Sequence, residues 1–220
     1  LPCALSFGPL AMPLILKINP QHPEPERIGK AVAILKRGGV IAFPTETFYG
    51  LGAVAGNEKA IKQIFKIKGR DFRNPIPLII GKKEDLLELV EDIPALAETI
   101  MNRFWPGPLT LVFRASGRVN PGLTAGTGTI GIRLSCHPIA LALARALGGP
   151  ITATSANRSG KQECSSAGDV LDQLGGRLDG IIDGGPTAGG PGSTILDVTC
   201  DPPRILRHGA ISADRLQGIC

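Results

Sequence analysis

Between Pro25 and Arg37, apolar positions Ile28, Ala31, Val32 and Leu35 recur at helical spacing, and Gly38-Gly39 stops the run. The pattern predicts an amphipathic helix feeding a short apolar strand, Val40-Ile41-Ala42-Phe43, which Pro44 ends because proline has no N–H to give a ladder. The polar run Thr45-Glu46-Thr47 therefore falls at a strand's carboxyl end, the edge where open α/β sheets bind ligands. A second helix is predicted from Glu58 to Lys66, with Ile61, Ile64 and Phe65 as its apolar stripe, followed by the basic loop Lys66-Ile67-Lys68-Gly69-Arg70. Pro77-Leu78-Ile79-Ile80 reads as a buried strand. Helices are expected at Lys83 to Val90 and Pro94 to Phe104, and Pro106-Gly107-Pro108 separates the second from a strand at Leu109 to Phe113.

Further strand patterns lie at Thr129 to Leu134, Ile151 to Ser155, Ile181-Ile182, Thr194 to Val198 and Arg204 to Leu206, with helices near Pro138 to Leu147 and Ala167 to Leu174. Strands alternating with helices imply an α/β layer fold, and the closely spaced strands near the C-terminus imply antiparallel pairing there. The expected fold is a twisted, open, mixed parallel and antiparallel sheet with flanking helices. Gly184 to Ser193, rich in Gly and Pro, reads as a flexible loop between two strands.

A chain of 220 residues, 43% hydrophobic, can bury one substantial core, and no repeat or linker divides it. Leu1 to Ala11 is apolar but lacks a basic leading region and is broken by Pro2, Gly8 and Pro9, so it does not read as a signal peptide. Met12 reads as the natural start, with residues 1–11 an extension and residues 12–220 a single domain. No stretch approaches the roughly 20 apolar residues of a membrane helix, so no membrane association and a soluble protein are expected. Five scattered cysteines without a C-x-x-C pair fit a reducing, cytoplasmic setting, and the three histidines form no zinc-binding cluster, so no protein-held metal is expected.

The formal charge of +5 favours anionic partners such as nucleotides, pyrophosphate or RNA without choosing among them. Aromatic residues make up only 4% of the chain, too few for a surface that stacks many single-stranded bases. The chain has no Walker P-loop, no dinucleotide fingerprint and no nucleophile elbow, so any ATP site needs another architecture.

Three segments carry candidate chemistry. In Thr129-Ile130-Gly131-Ile132-Arg133-Leu134, alternation puts Ile130, Ile132 and Leu134 on a buried face and Thr129 and Arg133 on the other, with Gly131 leaving space. That face could seat a small anion or zwitterion, or be an ordinary exposed strand face. In Ile151 to Asn157, Ala153, Ser155 and Asn157 share a side if the chain stays extended, offering short donors to phosphate or carboxylate; equally, Ser155 and Asn157 could cap a turn. Lys66, Lys68, Arg70 and Arg73 combine point charges with guanidinium forks, as a phosphate clamp or as a solvated cluster, and Arg204 and Arg207 carry the same two readings. Cys136-His137 has no acid in sequence to orient the histidine, so a nucleophilic pair is not expected.

In order, the segments Pro44-Thr45-Glu46-Thr47-Phe48-Tyr49-Gly50-Leu51-Gly52, Lys66-Ile67-Lys68-Gly69-Arg70, Trp105-Pro106-Gly107-Pro108-Leu109-Thr110, Gly131-Ile132-Arg133-Leu134, Thr154-Ser155-Ala156-Asn157-Arg158-Ser159-Gly160, Ser193-Thr194-Ile195-Leu196-Asp197 and Leu206-Arg207-His208-Gly209-Ala210-Ile211 resemble the YrdC-like family of threonylcarbamoyl-AMP synthases. Each is short. Their shared order across nearly everything after Met12 carries the resemblance. It departs from the family in having Asp71 rather than proline after Arg70, and it resembles the single-domain form because the chain ends soon after Arg207.

The resemblance implies a concave, basic cleft holding ATP, with Mg2+, beside L-threonine. Thr45, Thr47, Arg133, Ala153 and Ser193 would bind the amino acid; Lys66, Lys68, Arg70, Thr129, Ser155, Asn157 and Arg207 would bind the nucleotide, with Lys66 and Arg70 catalytic. It implies a nucleotidyltransferase that makes threonylcarbamoyl-AMP and pyrophosphate from L-threonine, ATP and carbon dioxide or bicarbonate, for tRNA modification through a downstream threonylcarbamoyl transferase. Two rivals stand beside it: a module that binds double-stranded RNA or tRNA without catalysis, and a divergent member with another acceptor.

Overall fold

Residues 12–218 are described by a computed structural model of the protein. The proposed extension at residues 1–11, which includes Cys3, and also Cys220, lies outside the described residues. In chain order the elements begin β1 (Leu14–Lys17), α1 (Pro25–Lys36), β2 (Ile41–Pro44), β3 (Tyr49–Gly52), α2 (Glu58–Lys68) and β4 (Leu78–Ile79). A 3-10 helix, Lys83–Glu88, then precedes α3 (Ala95–Phe104), β5 (Leu109–Arg114), α4 (Pro121–Thr124), β6 (Thr129–Arg133) and α5 (Pro138–Leu147). Next come β7 (Ile151–Thr152), β8 (Thr154–Ser155), α6 (Ala167–Leu174), the 3-10 turn Gly175–Arg177, β9 (Gly180–Asp183), β10 (Thr194–Asp197), β11 (Arg204–Arg207) and α7 (Ala213–Gln217).

The mixed α/β architecture stands as read from the sequence, with its strands divided between two sheets. One runs β1-β9-β2-β3-β8, the other β11-β10-β5-β6-β4-β7. Each combines parallel pairs, such as β1 with β9 and β5 with β10, with antiparallel ones, such as β2 with β3 and β5 with β6. The C-terminal pair β10 and β11 is antiparallel.

Alternation along β2 feeds two cores at once: Ile41 and Phe43 enter a core built around α1 and α5, while Ala42 enters a larger one with Tyr49, Phe65, Trp105 and Phe113. Helix α1 starts with proline in its first turn, where the missing N–H costs nothing, and buries Ile28, Ala31, Val32, Ile34 and Leu35. Asn57 caps α2 by accepting from Ala60 N at 3.1 Å, and Gly69 closes it at φ 60°, a conformation open to glycine without steric cost.

Two strands were absent from the sequence pattern. β3 contains Gly50 and Gly52, which carry no side chain to show a strand pattern; at Gly52 a Cβ would come within 2.8 Å of Phe43 Cε1, so a glycine is required by close packing inside the sheet. β1 is four residues long and pairs with β9 far along the chain, a contact that local periodicity does not register. The expected strand over Ile151 to Ser155 is split at Ala153, and the expected helix at Lys83 to Val90 is a shorter 3-10 helix, Lys83–Glu88.

Ile130 and Ile132 are fully buried in the larger core, as the alternation of β6 requires. Replacing Ile132 with Asp places a carboxylate there with no cationic partner of its own, at a cost on the order of 4 kcal/mol or more. Urea unfolding should show the midpoint collapse, and a normal midpoint would refute this assignment of faces.

Candidate functional site

Thr152 and Thr154 are neighbours but one, yet they belong to different sheets. β7 pairs with β4, and β8 pairs with β3, so the chain crosses between sheets at Ala153. The crossing is pinned on each side: Ala153 N donates to Pro77 O at 2.8 Å, and Ala156 N donates to Tyr49 O at 2.8 Å. The fully buried Thr152 uses its hydroxyl twice, accepting from Ala53 N at 2.9 Å and donating to Leu51 O at 3.2 Å.

Above this crossing opens a cleft of about 770 Å³, partly continuous with solvent. Short side chains at Ala153 and Ser155 keep it open. Its walls include the Thr45–Phe48 turn, Thr110 and Arg133, the Gly192-Ser193 end of the glycine-rich loop, and Arg70, Glu163 and Arg207. Three guanidinium groups thus face one carboxylate.

The turn after β2 is held by its own hydroxyls. Thr45 Oγ1 donates to Phe48 O at 2.7 Å and lies 3.2 Å from Thr47 Oγ1. Tyr49 anchors the base of the glycine-rich loop by donating its hydroxyl to Gly185 O at 2.7 Å, and burial pushes that phenol up to about 12. At the other end of the loop, Arg207 donates to Ser193 O from Nε at 3.1 Å and from Nη2 at 2.7 Å, and to Ser193 Oγ at 3.0 Å. Ser193 Oγ lies 3.1 Å from Thr110 Oγ1, so β5, β10 and β11 present one linked hydroxyl and guanidinium group. Gly131 lets Thr110 and Pro77 close over β6: a Cβ there would meet Thr110 Cγ2 at 3.1 Å and Pro77 Cβ at 3.3 Å.

Lys68 lies beneath the segment that follows the crossing. Its ammonium donates to Ser155 O, to Asn157 O at 2.9 Å and to Asn157 Oδ1 at 3.2 Å. Burial, reinforced by the nearby positive charge of Arg70, lowers its pKa to about 8. Arg70 reaches the cleft, donating to Thr154 Oγ1 at 3.0 Å and to Pro75 O at 3.3 Å.

Residues 33–209 match the sequence profile of the Sua5/YciO/YrdC family, described as telomere recombination. The chain belongs to the Sua5/YciO/YrdC family. It is 45% identical over 194 residues to threonylcarbamoyl-AMP synthase of Bacillus subtilis, covering 88% of this chain and 56% of that protein. Pyrococcus abyssi Sua5, in a crystal structure complexed with L-threonine, superposes with a TM-score of 0.91 at 41% identity, over 94% of this chain and 60% of that one. Escherichia coli YciO superposes with a TM-score of 0.86 at 29% identity, over 93% of this chain and all of that one. The chain therefore spans less than two thirds of the length of the first two relatives.

Of the residues singled out by the Sua5/YciO/YrdC resemblance, Thr45, Thr47, Arg70, Arg133, Ala153, Ser155, Ser193 and Arg207 line the cleft. Four do not. Lys66 is exposed on α2, because two residues turn a helix by about 200° and the buried Lys68 takes the inward face. Lys68 is spent on carbonyls below the cleft. Thr129 shares its strand face with Arg133, as alternation requires, but four residues of strand span about 13 Å, and it bonds to Thr127 at the far end of β6. Asn157 turns inward, donating to Arg158 O at 3.2 Å and Lys161 O at 2.5 Å to close the next turn. Its amide oxygen accepts from the Lys68 ammonium at 3.2 Å.

Sequence reasoning overlooked Thr110 and Glu163 among the wall residues. Thr110 had a signal: it is a polar residue inside the apolar run of β5. Glu163 sits in an irregular polar segment and had none. His137 caps α5 through Nδ1, which accepts from Ile139 N at 3.3 Å, and burial lowers its pKa. Among the described residues no group of three or more His, Cys, Asp or Glu side chains is placed to hold a metal ion, and no helix is long and apolar enough to cross a membrane.

Lys68 makes a pH prediction. Between the folded value of about 8 and the ordinary 10.5, the unfolded chain holds a proton that the folded chain has released. The group's contribution to stability therefore rises with pH across that window. Comparing thermal melts of the wild type and Lys68→Met from pH 7.5 to 10, the difference should shift in the wild type's favour as pH increases; parallel curves would show that Lys68 keeps an ordinary pKa.

Proposed function

We propose that this protein is a threonylcarbamoyl-AMP synthase acting on L-threonine, carbon dioxide and ATP. The observation that carries the reading is the shared cleft: the hydroxyl and guanidinium wall of Thr45, Thr110, Ser193 and Arg133 lies in one space with Arg70 and Ser155. The first group suits a hydroxylated amino acid with a carboxylate, and the second suits phosphate oxygens. Support comes from the threonine bound to Pyrococcus abyssi Sua5 and from the name of the Bacillus subtilis relative.

The chemistry needs charge stabilisation and positioning more than a protein nucleophile. The threonine nitrogen, once deprotonated, bonds to the carbon of carbon dioxide, taken up as such or drawn from bicarbonate, and sheds a second proton to give a carbamate. A carbamate oxygen then attacks the α-phosphorus of ATP, and the bond to pyrophosphate breaks. Arg133 is assigned to the threonine carboxylate, Thr45 and Ser193 to its remaining polar groups, and Arg70 with Ser155 to the phosphates. Arg207, tied to Ser193, borders both sides. Glu163 is the one carboxylate among the cleft walls and forms no metal cage, so magnesium is assigned to the ATP phosphates as part of the substrate. The product is an activated acyl adenylate, which a carbamoyl transferase acting on tRNA would consume; cytoplasmic placement accords with that role.

Incubated with Mg-ATP, L-threonine and bicarbonate, the protein should release pyrophosphate and yield threonylcarbamoyl-AMP by mass spectrometry. Pyrophosphate released equally without threonine would defeat the proposal, and RNA binding with no product at all would favour the non-catalytic alternative.

Arg133→Ala removes a charge-assisted hydrogen bond worth about 1.5–3 kcal/mol. Threonine affinity should therefore fall about tenfold to hundredfold in a calorimetric titration while a cooperative thermal transition shows the variant to be folded. Unchanged affinity would place the amino acid elsewhere.

A further inference from the structure

Glu46 stands in the turn between β2 and β3, yet it is not among the residues that line the open cleft. One oxygen, Oε2, accepts from the hydroxyl of Ser135, which is fully buried and itself accepts from His137 N at the start of α5 at 3.2 Å. The other, Oε1, is buried without a hydrogen-bond partner among the described residues and lies 3.5 Å from Arg133 Nη1. The two side chains are 11% and 8% exposed, so their charges meet with little solvent between them. Ser135 thus fixes Glu46 on one side, and Glu46 faces Arg133 on the other.

Arg133 stands at the end of β6, past the point where Thr110 and Pro77 close over Gly131. A long side chain so placed has several rotamers, and an anion behind the guanidinium selects among them. We infer that Glu46 is a positioning residue, which holds the Arg133 guanidinium against the cleft wall with its remaining N–H groups turned toward a ligand carboxylate. The inference deepens the proposed function and rests on it for the identity of the ligand. It assigns Glu46 no contact with substrate.

The test combines Glu46→Gln, which keeps shape and removes charge, with Arg133→Ala in a double-mutant cycle. Titration with L-threonine should show Glu46→Gln binding at least about tenfold more weakly, with affinity for a non-hydrolysable ATP analogue within about twofold of wild type, a split that general loosening of the fold would not give. Added to Arg133→Ala, the same substitution should change threonine affinity little. Wild-type affinity in Glu46→Gln, or a further tenfold loss in the Arg133→Ala background, would overturn the inference. A wild-type protein that takes up no threonine would defeat the functional reading instead. Thermal melts of the four proteins then decide the pairing by themselves: each single change strands a buried charge, so the double variant should lose less than the sum, and additive losses would overturn it.

Discussion

One stretch of five residues, Ile151 to Ser155, has to satisfy two sheets, and the geometry of the molecule follows from how it does so. Thr152 completes hydrogen bonds to the backbone of β3 while its own strand pairs with β4, and Ser155 pairs with β3. The backbone groups of such a buried crossing must all find partners, which leaves little freedom in side-chain size or direction. Ala153 cannot grow without filling the space above it, and Thr152 cannot lose its hydroxyl without orphaning two buried backbone groups. The cleft opens beside this crossing, where Ala153, Thr154 and Ser155 line it.

The charges around the cleft follow a common rule. Lys68 is satisfied by the carbonyls of Ser155 and Asn157, Arg207 by that of Ser193, and Arg70 by that of Pro75 and the hydroxyl of Thr154. Neutral oxygens orient a cation without cancelling its charge. The field at the cleft therefore stays positive, which suits a ligand carrying phosphates, whereas pairing each cation with a carboxylate would have spent that field internally. Glu46 is the exception: its carboxylate lies 3.5 Å from Arg133 Nη1.

Most helices and the α/β class were legible because amphipathic periodicity is a local property: the spans Pro138–Leu147 and Ala167–Leu174 could be read directly from sequence. Strands whose identity depends on a distant partner were harder. β3 hides behind two glycines, of which Gly52 admits Phe43 and Ile151, and β1 is defined only by β9. The candidate site shows the same division. Alternation placed Thr129 with Arg133 correctly by face but says nothing about distance along the strand, and spacing on α2 could not show that Lys68 points inward while Lys66 points out. Motif resemblance named residues most of which border one cleft; tertiary packing decided which of them face the open space.

Because Thr45 follows a strand of one sheet and Arg133 ends a strand of the other, an occupant touching both would tie together two sheets that already share their cores. Its binding energy would then add to the stability of the folded chain, since unfolding would have to release it first. Affinity for such an occupant and resistance to unfolding would be two readings of one quantity.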